Sequence, residues 1–396
     1  MKKRIFIAIQ YLEIGGAERS LIGLLNAIDY TRCAVDLFVY RHTGEFMSLI
    51  PKDVNLLPEI KEYAAISRPI KDILREGCMS IAIARIFAKI QYAIYANLNR
   101  PHEHSGLFQY VSDCVTPFLP SLKKYGRYDT AISFLTPHNI VRDKVDAKEK
   151  IAWIHTDYST ISVNANKELP VWGAFDKIFA VSQGVKETFE KVFPTLGYKI
   201  DVMENILSPA SIHKQAAMFD VTEEMPTIDG ELRFCSVGRF TEAKNFDNVS
   251  FICKMLTEKG LQFKWYIIGY GGDELLIREN IQKAGVDDIC ILLGKKSNPY
   301  PYIKACDIYI QPSRFEGKAV TVREAQILCK PVVITRFATS SAQLNKGIDG
   351  IIVPLDNKGA AEGIFTFAKN KALQEKFVAY MSEHDYGNEK EVEKIY

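Results

Sequence analysis

Two glutamates with seven residues between them, Glu316 and Glu324 in the stretch PSRFEGKAVTVREAQ, occupy positions where chemistry is possible. One follows a buried β-branched run and the other lies about one turn into a helix. Either the helix carries charge on its solvated side, or two carboxylates accept hydrogen bonds from one elongated ligand, as sugar and ribose hydroxyls would offer. The amides of Gly317, Lys318 and Ala319 add anion-binding capacity at the helix start. Upstream, Arg239 directly follows the run LRFCSVG, and Lys244 comes five residues later, before a helix expected from about Asn245. Two cations so placed suit a diphosphate, the guanidinium by forked hydrogen bonds and the ammonium as a mobile point charge. The alternative is a pair of solvated surface cations.

The same kind of position recurs elsewhere. Gly15 and Gly16 follow the run RIFIAIQ, with Glu18 in the first turn of the next helix. Paired glycines let a backbone approach a ligand, and free amides at a helix start favour phosphate; a tight turn is the plainer reading. The spacing is not G-x-G-x-x-G, which speaks against a conventional dinucleotide site. Gly269 in IIGYGGDEL and Gly294 in LLGKKS end two further runs, as turns or as backbone offered to a ligand. His155 closes KIAWIH, either as a ligand at a strand end or as a histidine satisfied by its neighbours.

These positions depend on the elements that hold them. Apolar β-branched runs alternate with helical patterns, the signature of βαβ units and an α/β fold with parallel sheets. Strands are expected at 4–10, 34–40, 130–135, 150–155, 177–182 and 199–205, then at 232–238, 263–269, 289–294, 307–313, 331–335 and 350–354. Helices are expected around 17–28, 245–259, 273–284, 298–305 and 320–329. The chain reads as two doubly wound, Rossmann-like domains, 1–206 and 229–375, joined by a linker at 207–228 and followed by a tail at 376–396. Two such domains leave a cleft, faced by the loops after their strands. Residues 70–125 lack strand patterns. They are expected to be a helical insertion in the first domain, or else a face that touches a membrane surface or lipid-linked substrate. Between 71 and 128 stand eight Lys/Arg and four Asp/Glu, with Phe, Tyr and Ile among them.

Composition narrows the class. The 396 residues suffice for two domains, and 47% apolar with 25% charged residues is ordinary for a globular chain. A net charge of +2 gives no global field for nucleic acid or an anionic surface, so any basic site is local. Eight scattered cysteines with no C-x-x-C pair read as buried free thiols in a reducing compartment, neither a disulfide frame nor a zinc site. No Asp-x-Asp metal motif stands out. Within the first residues, MKKRIFIAIQYLE, the run RIFIAIQ is read as a buried strand, because Gln10 and Glu13 interrupt any signal-peptide core. No apolar run is long enough to span a bilayer, and a cytoplasmic location is expected.

Taken together, GGAERS, SVGRFTEAKN, ACDIYIQPSRFEGKAVTVREAQ and CKPVVIT resemble glycosyltransferase family 4, retaining enzymes of GT-B fold that use nucleotide sugars. The likeness covers most of the chain and is weakest at 41–128. It implies that Arg239 and Lys244 bind the donor diphosphate, Glu316 the sugar and Glu324 the ribose. The Gly317–Ala319 backbone would hold sugar and phosphate, with Gly15 and Gly16 contributing from the first domain. His155 resembles the histidine that reaches the sugar from the acceptor side, and the C-terminal segment would brace the first domain. The implied activity is metal-independent transfer of a hexose, usually from UDP, to a glycan or polyprenyl-diphosphate-linked acceptor for capsule or lipopolysaccharide, with possible peripheral contact at the inner membrane. Lys318 departs from the pattern, since an aromatic residue is common there, and Arg323 stands where an apolar one is common. Rival readings are a nucleotide-sugar 2-epimerase of the same fold and a non-catalytic nucleotide-sugar or glycan-binding protein.

Overall fold

Ile, Val and Phe runs bounded by turn residues fit a pleat buried on both faces, and here they form two separate parallel sheets. The computed structural model describes residues 2–316 and 319–396. The chain divides into two units, Met1–Ile206 with Glu389–Tyr396, and Leu207–Asn388.

The first unit carries strands β1 (Lys3–Ile9), β2 (Cys33–Val39), β3 (Asn55–Leu56), β4 (Tyr128–Ser133), β5 (Ala147–Ile154), β6 (Lys177–Ala180) and β7 (Ile200–Val202). Their order is β3-β2-β1-β4-β5-β6-β7. Every pairing is parallel, with Ile5 of β1 opposite Val35 of β2 and Thr130 of β4. Alternate residues of β1 enter different cores: Phe6 and Ala8 join one cluster, Ile5, Ile7 and Ile9 the other. That is the two-residue period of a strand covered by helices on both sides. The two-residue β3 was not anticipated, because so short a strand has no period to read. Residues 70–125 are helical, chiefly Ile70–Arg75, Met79–Asn99 and Leu107–Val115.

The second unit carries β8 (Leu232–Val237), β9 (Phe263–Ile268), β10 (Cys290–Gly294), β11 (Ile308–Gln311), β12 (Val332–Thr335) and β13 (Ile351–Val353), in the order β10-β9-β8-β11-β12-β13. All six strands are parallel.

Two boundaries differ from the sequence reading. Residues 207–228 are no linker. Ser208 caps the helix Pro209–Ala216 by accepting from the Ser211 amide, and Ile212, Ala216, Val221 and Met225 enter the second core. Pro209 at the first helical turn, where its missing N–H costs nothing, starts this helix instead of breaking the chain. The expected tail also divides. Lys371–Glu383 stays in the second unit through buried Phe377 and Met381. Only Glu389–Tyr396 joins the first unit, where Val392 and Ile395 are buried, Lys394 Nζ donates to the Val202 carbonyl at 2.6 Å and the Asp29 amide donates to Tyr396 Oη at 2.7 Å.

Candidate active site

In each sheet the chain starts in the middle and changes direction once, between β1 and β4 in the first unit and between β8 and β11 in the second. Beyond the carboxyl ends of such paired strands the following loops diverge, and ligands of open α/β sheets bind there.

In the second unit, the loop after β8 carries Arg239 and Lys244, and the loop after β11 carries Glu316. The structure joins them. Lys244 Nζ forms an ion pair with Glu316 Oε1, and the same oxygen accepts from Ser313 Oγ at 2.6 Å and Gln311 Nε2 at 3.3 Å. Backbone contacts set the register: the amides of Arg314 and Phe315 donate to the Ala243 carbonyl at 2.8 and 3.2 Å. Arg314 also forks onto Asp247, at 2.8 and 2.7 Å, and donates to the Glu242 carbonyl at 2.7 Å. Asn245 completes the clamp in a left-handed conformation (φ 60°), a region that Asn tolerates better than most residues. Its buried side chain donates to the Pro312 carbonyl at 2.9 Å. From the far side, Thr339 Oγ1 donates to the Glu316 carbonyl at 2.6 Å, and Gln343 Oε1 accepts from the Ala319 amide at 2.9 Å.

The remaining sequence candidates fall in different surroundings. Arg239 is exposed and makes no ion pair among the described residues. Glu324 is fully buried and accepts from Tyr300 Oη at 2.7 Å. No described hydrogen bond joins it to Glu316. Gly269 has a packing reason of its own: a Cβ there would lie 1.9 Å from the Gly238 carbonyl oxygen, where the ends of β8 and β9 crowd together. Gly294, the last residue of β10, turns the chain at φ 71° in open space. Gly317 and Lys318 lie outside the described residues.

In the first unit, Gly15 and Gly16 open the helix Gly16–Ala27 after β1. A Cβ on Gly15 would collide with the Glu18 carboxylate, whereas nothing lies within 4 Å of one on Gly16. Gln10, just past β1, donates to the Thr136 carbonyl at 2.5 Å and so ties the ends of β1 and β4. His155 follows β5. The sequence reading missed its neighbour His138, although His138 comes shortly after the expected strand 130–135, much as His155 closes the expected strand 150–155. His138 is buried, its Nδ1 2.8 Å from Ser133 Oγ and its ring 4.2 Å from that of Trp172. Both histidines help line a cavity of about 360 Å³ with Gln109, Tyr158, Glu168 and Trp172. Burial pushes both imidazoles down to about 3, with His155 adding to the effect on His138 and a backbone hydrogen bond at Phe134 opposing it for His155. Both are neutral near pH 7. The buried Nε2 of each has no hydrogen-bond partner among the described residues. Burial raises the Glu168 carboxyl, against the donors Trp172 Nε1 at 3.2 Å and Tyr158 Oη at 3.0 Å. The cavity therefore sets two neutral imidazoles and the Glu168 carboxyl between aromatic walls, groups able to hydrogen-bond hydroxyls.

Residues 222–384 match the model of the family described as glycosyl transferases group 1. An uncharacterized glycosyltransferase of Methanocaldococcus jannaschii is 26% identical over 187 residues, 47% of this chain and 46% of that protein. The N-acetylgalactosamine-N,N'-diacetylbacillosaminyl-diphospho-undecaprenol 4-alpha-N-acetylgalactosaminyltransferase of Campylobacter jejuni is 26% identical over 207 residues, 51% of this chain and 53% of that protein. The chain thus spans about half the length of these curated relatives. Over nearly its whole length it is similar in fold to Anabaena Alr3699/HepE, solved in complex with UDP and glucose, with TM-score 0.63, 15% identity and coverage of 99% and 97% of the two chains. The switch-point constellation around Lys244 and Glu316 accordingly lies in a segment, 222–384, that matches the group 1 glycosyltransferase model, in a chain of GT-B fold.

Proposed function

We propose that the chain is a retaining, family 4-like glycosyltransferase that moves a hexose-type sugar from a nucleotide diphosphate sugar, UDP-linked, to a glycan or polyprenyl-diphosphate-linked acceptor of a surface polysaccharide. The observation that carries this reading is the Lys244–Glu316 ion pair at the β8/β11 switch point, with the exposed Arg239 on the same loop as Lys244. An incoming diphosphate competes with Glu316 for Lys244 and gains the Arg239 fork. Glu316 Oε1 keeps its Ser313 and Gln311 donors, and Oε2 is left for a sugar hydroxyl. Glu324, with Tyr300, takes the ribose side in this reading, and His155 the acceptor side.

In the reaction the bond from the anomeric carbon to the diphosphate breaks and its electron pair leaves with the phosphate oxygen. Arg239, Lys244 and loop amides stabilise that charge without a metal. The acceptor oxygen adds on the face just vacated, and its proton passes to the departing phosphate. A short-lived oxocarbenium-like ion pair is favoured, since no side chain is identified as a covalent nucleophile. The Anabaena complex with UDP and glucose and the undecaprenol-linked acceptor named for the Campylobacter relative support the donor and acceptor classes.

The test is a panel of nucleotide sugars, first by thermal shift and then by product analysis with a polyprenyl-diphosphate glycan. One donor should raise the apparent melting temperature, because it binds only the native state. Its α-linked sugar should appear α-linked in the product. Turnover without acceptor would favour an epimerase, a β-linked product would rule out retention, and no shift with any nucleotide sugar would overturn the reading.

A further inference from the structure

The helix Met79–Asn99 has two apolar faces, and the chain covers only one of them. Ile81, Ala82, Ala84, Ala88 and Tyr92 are buried in the first unit. Arg85 on that side donates to the carbonyls of Ala65 and Arg68 and anchors the helix. On the opposite side Met79, Ile83, Ile86, Phe87, Ile90, Ile94 and Leu98 are all exposed, from 46% at Ile86 to 79% at Leu98. At roughly 100° per residue these seven fall within about 120° of arc, a stripe roughly 28 Å long interrupted only near its ends by exposed Ser80 and Asn97. A helix apolar all round is normally buried all round.

Charge and size point to what covers the stripe. The helix contains Arg85 and Lys89 and no acidic residue, and Lys89 is exposed at the flank of the stripe. Lys71, Arg75 and Arg100 are exposed near its ends, while the nearby acids Asp72 and Glu76 pair with Arg75 and Arg68. Residues 71–128 hold eight cations and four anions, a balance of +4 in a chain of net +2, so the other residues sum to −2. A single stripe about 10 Å wide offers roughly 300 Å², short of the about 800 Å² per partner of a standard protein interface. An in-plane helix at a bilayer surface needs no such area, only an apolar face and flanking cations for headgroups. No helix among the described residues is long and apolar enough to cross a membrane.

We infer that the outer face of Met79–Asn99 docks on an anionic lipid bilayer, lying in its interface with Ile83, Phe87, Ile90 and Ile94 inserted and Lys89 reaching the headgroups. The inference rests on this face alone and stands whether or not the chain transfers sugars. Within the 70–125 region it places the contact on the long helix; Lys123 and Lys124 sit in a separate exposed turn, Lys123–Tyr125.

The full chain is sedimented with phosphatidylcholine vesicles, with and without phosphatidylglycerol. It should pellet with the anionic vesicles and be released by salt. Replacing Ile83→Gln, Ile90→Gln and Ile94→Gln together should lower the bound fraction by about tenfold or more, at an unchanged melting temperature. Lys89→Glu should weaken binding to the anionic vesicles alone. A separate variant, Phe87→Trp, reports insertion directly, because Trp153, Trp172 and Trp265 are buried. Its emission should shift to the blue on adding anionic vesicles, a reading independent of the stability of the triple variant. No pelleting, equal pelleting of the triple variant or an unmoved emission would overturn the inference. So would a dimer without vesicles that the triple variant turns into a monomer, since a second copy would then cover the stripe.

Discussion

Lys244 and Glu316, 72 positions apart, form an ion pair where the loops after β8 and β11 meet. The Glu316 side chain is only 9% exposed, so removing its partner strands a poorly solvated carboxylate. Lys244→Met and Glu316→Gln should each cost about 1–3 kcal/mol of stability, while the double variant should cost clearly less than their sum. Urea unfolding of the four proteins measures this coupling. Transfer should behave otherwise: each single variant should lower kcat/KM by roughly 100-fold or more, and the double should restore nothing.

Arg314 touches no proposed ligand, yet it fixes the distance between the two loops. Arg314→Ala should lower stability by about 1–3 kcal/mol and impair transfer by misplacing Glu316. Arg314→Lys should recover only part of either, because an ammonium cannot reproduce the forked contact with Asp247. Melting temperatures and steady-state kinetics of both variants decide this.

Asn245→Ala removes the hydrogen bond to Pro312 and puts a poorly tolerated residue at φ 60°, at a combined cost of about 2 kcal/mol. Asn245→Gly keeps the conformation and loses only the side chain, so it should be the milder change. Equal melting temperatures for the two would show that left-handed strain plays no part.

The two kinds of glycine should separate. Gly269→Ala forces a Cβ into the Gly238 carbonyl and should destabilise by about 3 kcal/mol or more. Gly16→Ala meets no protein atom, so its melting temperature should stay within the range of a neutral surface change, about 0.5 kcal/mol. If a phosphate approaches the Gly16 backbone, that variant should still lose donor affinity, read as a raised KM. Unchanged KM would remove Gly16 from the donor site.

His138 and His155 make stability depend on pH. Their folded values lie near 3, below the ordinary value of 6.5, so the unfolded chain binds more protons between those limits and stability falls as pH is lowered through that window. Each fully coupled histidine contributes a slope of about 1.4 kcal/mol per pH unit, less for the half-buried His155, where water screens the charge. Above pH 7 the effect is absent. His138→Gln should flatten the decline in melting temperature between pH 6.5 and 4.5 relative to the parent chain, and an identical profile would refute this origin.

Much of the frame was legible because strand and helix are written in local periodicity. RIFIAIQ and LRFCSVG show their strands directly, and β1 and β8 lie within one residue of the expected spans. The strand-end rule then pointed to Arg239, Lys244, Glu316 and His155. The same rule would have found His138 had the residues after TAISFL been followed a little further. The 207–228 segment misled because a proline that starts a helix and one that breaks it look alike until the cap is seen.

From local pattern alone the chain determined its two α/β halves, the loops able to carry chemistry, and the resemblance of those loops to a sugar-transferring family. Periodicity and residue type are properties of neighbours in sequence, so they survive without a fold. Only the tertiary structure decided that Lys244 meets Glu316, that Arg314 and Asp247 hold them, that Glu324 is buried against Tyr300, and which face of Met79–Asn99 stays uncovered. Each of these depends on strand order and helix packing, which bring together residues dozens of positions apart and which no local pattern encodes.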